Sequence, residues 1–248
     1  MSAEIEKQLR MLRLSGMAAS LGPRLLQAEK GDLTHTEFLE LLIADEMDVR
    51  RDRLFERRLK KAKLPFVKTL AEFDFTFNRK IPKRLVLELG TAKFVRQSED
   101  LLLIGPSGVG KSHIAIALAV AAITAGHTAL HTSTFDLVGD IAQAEATGEK
   151  EDLVKTLGGI DLLLIEDLGM KRLPSGAAEY LLEVIYRRYE TRSTIITTNR
   201  PVEDWGKVLG DAAAAGAILD RFLHHAEVIA ITGPSYRLHQ RKRRAQES

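Results

Sequence analysis

The chain has 248 residues, 45% of them hydrophobic, with 36 Lys/Arg against 34 Asp/Glu and no cysteine. That is enough for one large domain, or one domain with an appendage, around a packed core; it excludes disulfides and thiolate metal sites and fits a reducing compartment. The N-terminus "MSAEIEKQLRMLRLSGM" is too charged for a secretion signal, and the longest apolar stretch, Ile114 to Ile123, falls well short of the ~20 residues of a membrane helix, so the expectation is a cytoplasmic protein without membrane association.

Residues 1–64 read as a small helical domain. Thr34 and Glu37 fit a capping box, and Leu39, Leu42, Ile43, Met47 and Leu54 follow at roughly helical spacing. This helix is expected to run to about Leu64, where Pro65 stops it, with shorter helices before it interrupted near Gly16 and at Gly22-Pro23. Its back half is basic: eight Lys/Arg lie between Arg50 and Lys63 against only Asp52 and Glu56, and the chain closes on another cluster, "RKRR" at 241–244. Local clusters of this kind attract nucleic acid, although a solvated helix face has the same composition. Residues 65–98 read as a connector that ends in a helix from Pro82 to about Val95.

Residues 99–248 have a different texture. Apolar strands at 101–104, 128–132, 161–165, 193–198 and 227–231 alternate with long helical patterns, which predicts an α/β fold with a mainly parallel sheet covered on both faces. The first strand leads into "GPSGVGKS", Gly105 to Ser112, which matches the phosphate-loop pattern G-x-x-x-x-G-K-[ST] at every fixed position. In this reading Gly105, Gly108 and Gly110 permit the tight turn. The stretch Gly105, Pro106, Ser107, Gly108, Val109, Gly110, Lys111, Ser112 and His113 cradles the phosphates of ATP, Lys111 reaches the β- and γ-phosphates, and the Ser112 hydroxyl ligates Mg2+. A nucleophile elbow, G-x-S-x-G, fails because its final position is Val109.

The third strand, "DLLLI", runs into Glu166 and Asp167. Ligands of parallel sheets sit beyond the carboxyl ends of the strands, so these acids should face Lys111 and Ser112. Glu166, first after the apolar run, is assigned to the metal; Asp167, expected in the following turn, is assigned to the attacking water. A solvated turn is the bland alternative. Asn199, after the fourth strand, is placed at the same edge, where its amide would position water or touch the γ-phosphate. Arg221 lies in "ILDRFLHH". His224 and His225, adjacent on a helix, would project in different directions, which argues against a shared metal.

The ordered set of phosphate loop, double acid, "TTNR" and "ILDRFLHH" resembles the AAA+ ATPases of the initiator and helicase-loader group. The stretches "GPSGVGKSH", "STIITTNRPVEDWG", "AILDRFLHHAEVI" and "GPSYRLH", with "LRLSGMAASL" and "KLPFVKTLAEFDF" before them, resemble the IstB family of ATP-binding helpers of bacterial insertion-sequence transposition across nearly the whole chain. The resemblance implies an AAA+ P-loop core that hydrolyses ATP, assembles on duplex DNA as a homo-oligomer through AAA+ interfaces, and assists a partner transposase. It implies that Asn199 is sensor 1, that Arg221 is an arginine finger acting on a neighbour's nucleotide, and that Arg237 is a candidate second sensor, with no room after it for a helical lid. The family usually has Asp where this chain has Glu166, so Glu166→Asp is expected to preserve or raise activity. A helicase loader of the DnaC type shares the core and is the alternative; a small-molecule kinase would leave "ILDRFLHH" without a role.

Overall fold

The computed structural model describes residues 2–31, 33–170, 173–174 and 176–247. The chain forms two compact units, residues 1–58 and 59–248. In the first, α1 (Ser2–Met11) and α2 (Ser15–Glu29) precede α3 (His35–Lys61). The capping box forms: Glu37 N donates to Thr34 Oγ1 (3.3 Å) while Thr34 N donates to Glu37 Oε2 (2.8 Å).

Of the two expected interruptions in the N-terminal helices, the one near Gly16 forms and the one at Gly22-Pro23 does not. The break is at residues 12–14, with Arg13 at φ 61°, and α2 runs unbroken through Gly22 and Pro23. Gly16 is a contact point rather than a breaker. A side chain there would place its Cβ 2.7 Å from Glu46 Cα, and Gly16 N donates to the buried Glu46 carboxylate at 2.6 Å. Glycine thus lets α2 approach α3. Helix α3 ends at Lys61, before Pro65, and Lys63 turns the chain at φ 52°.

In the second unit, the connector contributes one 3-10 turn (Leu70–Glu72), then α4 (Lys83–Leu89) and α5 (Lys93–Arg96). The single helix expected over 82–95 is split because Ala92 takes a left-handed conformation. There follow β1 (Asp100–Ile104), α6 (Lys111–Thr124), β2 (Ala129–Ser133), α7 (Thr134–Thr147), α8 (Lys150–Gly159), β3 (Leu162–Leu168), α9 (Ala177–Arg188), β4 (Ser193–Thr198), α10 (Trp205–Leu209), α11 (Ala212–His224), β5 (Ala226–Ala230) and α12 (Tyr236–Glu247). The cluster at 241–244 lies on α12, and the Arg244 side chain falls outside the described residues.

All five strands pair in parallel in the order β2-β3-β4-β1-β5. Strands β1, β3 and β4 are buried almost throughout because helices cover both faces. Helix α6 is buried nearly all round, which explains its run of Ala, Ile and Leu without helical alternation. Beneath the amino ends of the strands, buried Arg188 donates to Leu157 O (2.6 Å), Ile160 O (2.8 Å) and Thr194 Oγ1 (3.0 Å) and also to Ser193 O. This leaves the carboxyl edge for the candidate site. Among the described residues no helix is long and apolar enough to cross a membrane.

Candidate functional site

Strand β1 delivers the phosphate loop to the carboxyl edge, and the loop enters α6 through Gly110. Gly105 N donates to Thr198 O (3.2 Å), which ties the loop to the end of β4. Two glycines are sterically required. A Cβ on Gly105 would lie 2.0 Å from Ile231 O, and one on Gly108, at φ 82°, would lie 2.2 Å from Ser235 Oγ. Lys111 folds back over the loop: Nζ donates to Gly105 O (2.7 Å) and Pro106 O (2.8 Å). Burial lowers its pKa, against the pull of Asp167 and Glu166 and with the repulsion of Arg237. An ammonium held by two neutral carbonyls can exchange them for phosphate oxygens.

The two acids lie within β3 rather than beyond it. Ser133 of β2 is in register with Glu166, while the β3–β4 ladder is irregular between Ile165 and Leu168. At that bulge Asp167 adopts φ 61°, and its N–H leaves the ladder to donate to Thr197 Oγ1 (3.1 Å). The bulge separates the acids: Glu166 is buried and Asp167 is exposed. One Glu166 oxygen, Oε2, accepts from His131 Nε2 at 2.9 Å, whereas Oε1 is buried with no hydrogen-bond partner among the described residues. Burial opposes ionisation of Glu166, but His131 and the Ser112 hydroxyl outweigh it and hold the carboxyl below its ordinary value. Asp167 is shifted the other way, upward: although the residue is exposed, its carboxyl is partly desolvated beside the loop, and the Glu166 charge adds to this, with Lys111, Arg237 and His131 opposing. Neighbouring carboxylates of opposite pKa shift suit different roles.

A cleft of about 460 Å³ opens over the loop, lined by Ser107 to His113, Asp167 and Arg237. Its far wall is aromatic and comes from the connector. The rings of Phe73 and His113 meet edge-on at 5.0 Å, and those of Phe77 and Tyr236 at 5.0 Å. Within the connector Thr69 and Glu72 form a capping box, and the Glu72 carboxyl is pulled to about 2 by the Thr69 N–H, Lys68 and the Thr69 hydroxyl. Asn78 Nδ2 donates to Thr232 O at 2.9 Å, and Tyr236 N donates to Gly108 O at 2.9 Å. Helix α12 therefore stands at the cleft. A polar floor, a pair of acids and an apolar wall fit a nucleotide.

The other expected residues stand apart from this cleft. Asn199 follows β4 at the same edge and is exposed, but it does not line the cleft. Arg221 does not line it either; its guanidinium lies 5.1 Å over the Tyr186 ring, and Nη1 donates to Ala217 O at 3.2 Å. Sequence reasoning missed His131, Phe73 and Phe77. The alternating "FDFTF" at 73–77 was a visible signal for the aromatic wall. His131 had none, because only the β2–β3 register brings it to Glu166.

Oxygen donors from Ser112 and Glu166, with one buried carboxylate oxygen unsatisfied, fit Mg2+, which takes oxygen ligands. A parallel sheet in the order β2-β3-β4-β1-β5 with a phosphate loop after β1 is the core of the AAA+ P-loop ATPases. Solved structures agree on the fold. The DnaC helicase loader gives a TM-score of 0.51 at 23% identity, over 71% of this chain and 98% of that one. DnaA of Aquifex aeolicus bound to AMPPCP gives 0.58 at 17% identity, over 75% and 57%. The chain belongs to the family described as IstB-like ATP binding protein, whose model matches residues 7–245. A protein of insertion sequence IS21 in Pseudomonas aeruginosa, named for ATP binding, is 38% identical over 97% of this chain and 91% of its own length. A counterpart from IS5376 in Geobacillus stearothermophilus is 34% identical over 100% and 98%.

Proposed function

We propose that this protein is a cytoplasmic, Mg2+-dependent ATPase that assembles on duplex DNA and assists a transposase in insertion-sequence movement. The observation that carries the reading is the convergence of Lys111, Ser112, Glu166 and Asp167 on one sheet edge. Family membership supports the insertion-sequence setting over helicase loading.

In this reading the loop amides and Lys111 bind the β- and γ-phosphates, and Phe73 and Phe77 shield the base. Ser112 and Glu166 would hold Mg2+, which would neutralise charge developing on the phosphates. Asp167, exposed and displaced by the bulge, accepts a hydrogen bond from the attacking water and aims it at phosphorus. Asn199 stands at the same sheet edge but outside the cleft, so no contact with that water is assigned to it, and Arg221 serves the nucleotide of a neighbouring copy. Arg237, whose charge acts on both Lys111 and Asp167, senses the γ-phosphate. Residues 1–64 form the DNA-binding and assembly module, 65–98 the connector that walls the cleft, and 99–248 the ATPase domain.

The test measures steady-state hydrolysis by the full chain with Mg2+, with and without duplex DNA, alongside DNA affinity in ATP and ADP. Hydrolysis stimulated by duplex, with tighter DNA binding in ATP, is the expected result. Absence of hydrolysis under both conditions, or DNA affinity indifferent to nucleotide, overturns the reading.

A further inference from the structure

A second constellation lies at the opposite, amino edge of the sheet, away from the nucleotide cleft. Asp100 N, at the start of β1, donates to His225 O (3.1 Å), which places the end of α11 beneath the strands. His224 is the last residue of α11, and His225 leaves the helix at φ −122°. Because the helix ends between them, the two rings do not diverge by the ~100° of a continuing helix. Their centroids are 4.0 Å apart. The expectation that these histidines face different directions is therefore corrected by the helix terminus.

Glu190 completes the group. It follows the end of α9 in a left-handed conformation, φ 58°, that turns the chain toward β4. Its Oε1 lies 3.2 Å from His225 Nε2. One ligand atom from each of Glu190, His224 and His225 lies within 4.8 Å of the other two. The Tyr189 hydroxyl bonds His224 Nδ1 at 2.7 Å, and its ring stands 6.0 Å from each imidazole, which orients the pair.

We propose that Glu190, His224 and His225 form a binding site for a borderline divalent metal ion of the zinc class, clamping the end of α9 to the end of α11. Two imidazoles and one carboxylate suit Zn2+, Cu2+ or Ni2+, whereas Mg2+ and Ca2+ require oxygen-rich shells. Metal–ligand bonds of about 2.0–2.2 Å in a tetrahedron separate ligand atoms by about 3.4 Å. The His225–Glu190 pair already has nearly that separation, and the third ligand needs only a side-chain adjustment at an exposed site. A ligating imidazole donates its other N–H to an acceptor outside the site; His224 would donate from Nδ1 to the Tyr189 hydroxyl oxygen, which fixes the ring and leaves Nε2 for the metal. Arg221 lies one turn before His224 on α11, so an ion here would also fix the end of the helix that presents that residue.

The experiment titrates ZnCl2 into tag-free, chelator-stripped full chain without nucleotide, followed by calorimetry, and records Cu2+ electron paramagnetic resonance. One site of micromolar affinity is expected, with superhyperfine splitting from two nitrogens. His224→Ala and His225→Ala should each weaken Zn2+ by ~10-fold or more, and Glu190→Gln should weaken it while leaving the turn intact. Absence of Zn2+ binding up to millimolar concentration overturns the site. So does unchanged affinity in the double variant His224→Ala/His225→Ala, since the ion would then sit on other histidines. All three side chains are exposed, so these variants should keep the fold, and an unchanged circular dichroism spectrum verifies this.

Discussion

His131 on β2 holds one oxygen of Glu166 on β3 at 2.9 Å, and the other oxygen of the same carboxylate is buried without a partner among the described residues. A buried, unpaired carboxylate oxygen costs free energy unless something binds it. Glu166→Gln is therefore expected to weaken the Mg2+ dependence of ATP binding. Asp167→Asn should keep that dependence and DNA assembly but lower turnover by ~10²-fold or more. ATP affinity against Mg2+ concentration, with steady-state hydrolysis, separates the two. The reverse pattern exchanges the roles.

The same contact revises the expectation for Glu166→Asp. The longer side chain spans to His131; shortening it by a methylene withdraws the carboxylate from the ring. Glu166→Asp is now expected to lower hydrolysis severalfold rather than raise it, and His131→Ala to act in the same direction. Activity of Glu166→Asp at or above the parent level would show that the His131 contact is dispensable.

Arg221 rests on Tyr186 and leaves its own cleft untouched. Arg221→Ala should abolish DNA-stimulated hydrolysis, by ~10³-fold, while each subunit still binds ATP. Mixing it with Lys111→Ala chains should restore part of the activity, because one mixed interface retains both groups. No recovery in a co-assembled mixture would place the arginine's action within one subunit.

The basic half of α3 is not uniform. Arg50 pairs with Glu46 (2.7 Å), Arg51 with Asp48 (3.0 Å), and Arg53 donates to Ser15 Oγ (2.6 Å). Arg57, Arg58, Lys60 and Lys61 have no ion pair among the described residues. They are the expected phosphate contacts. Arg57→Ala, Arg58→Ala and Lys61→Ala together should reduce the log–log salt slope of duplex binding by ~3, near 0.9 per contact. An unchanged slope would remove this face from the DNA interface.

Asp100 is buried at the start of β1, where its Oδ1 accepts from Thr194 N at 2.6 Å. Burial raises its pKa to about 7, with the Thr194 N–H, Arg188 and His225 opposing. The folded state thus binds the proton more tightly than the unfolded chain, whose value is about 3.9. Stability should fall as pH rises from about 4 to 7, by ~2–4 kcal/mol from this residue, and level off above. Asp100→Asn keeps the acceptor and removes the titration. Urea denaturation between pH 4.5 and 8 should show a flatter profile for the variant and equal or greater stability at pH 8.

Local chemistry made much of this protein legible in its sequence. The phosphate loop is contiguous, so its spacing identifies it without a fold. The strand expected at 193–198, rich in β-branched residues, has those bounds, and Thr34 with Glu37 closes a capping box within one helical turn. Helix breaks were less legible, because Gly16 serves a contact 30 residues away and Pro23 is accommodated inside α2. What tertiary structure alone decided is long-range. The β2–β3 register brings His131 to Glu166, and a bulge buries one acid and exposes the next. The connector's phenylalanines meet the loop across the fold, and the end of α11 gathers His224 and His225 against Glu190. The physical reason is that composition and periodicity report which face of an element is apolar. Which polar groups meet across a sheet depends on register and termination, and these are set by packing among residues distant in the chain.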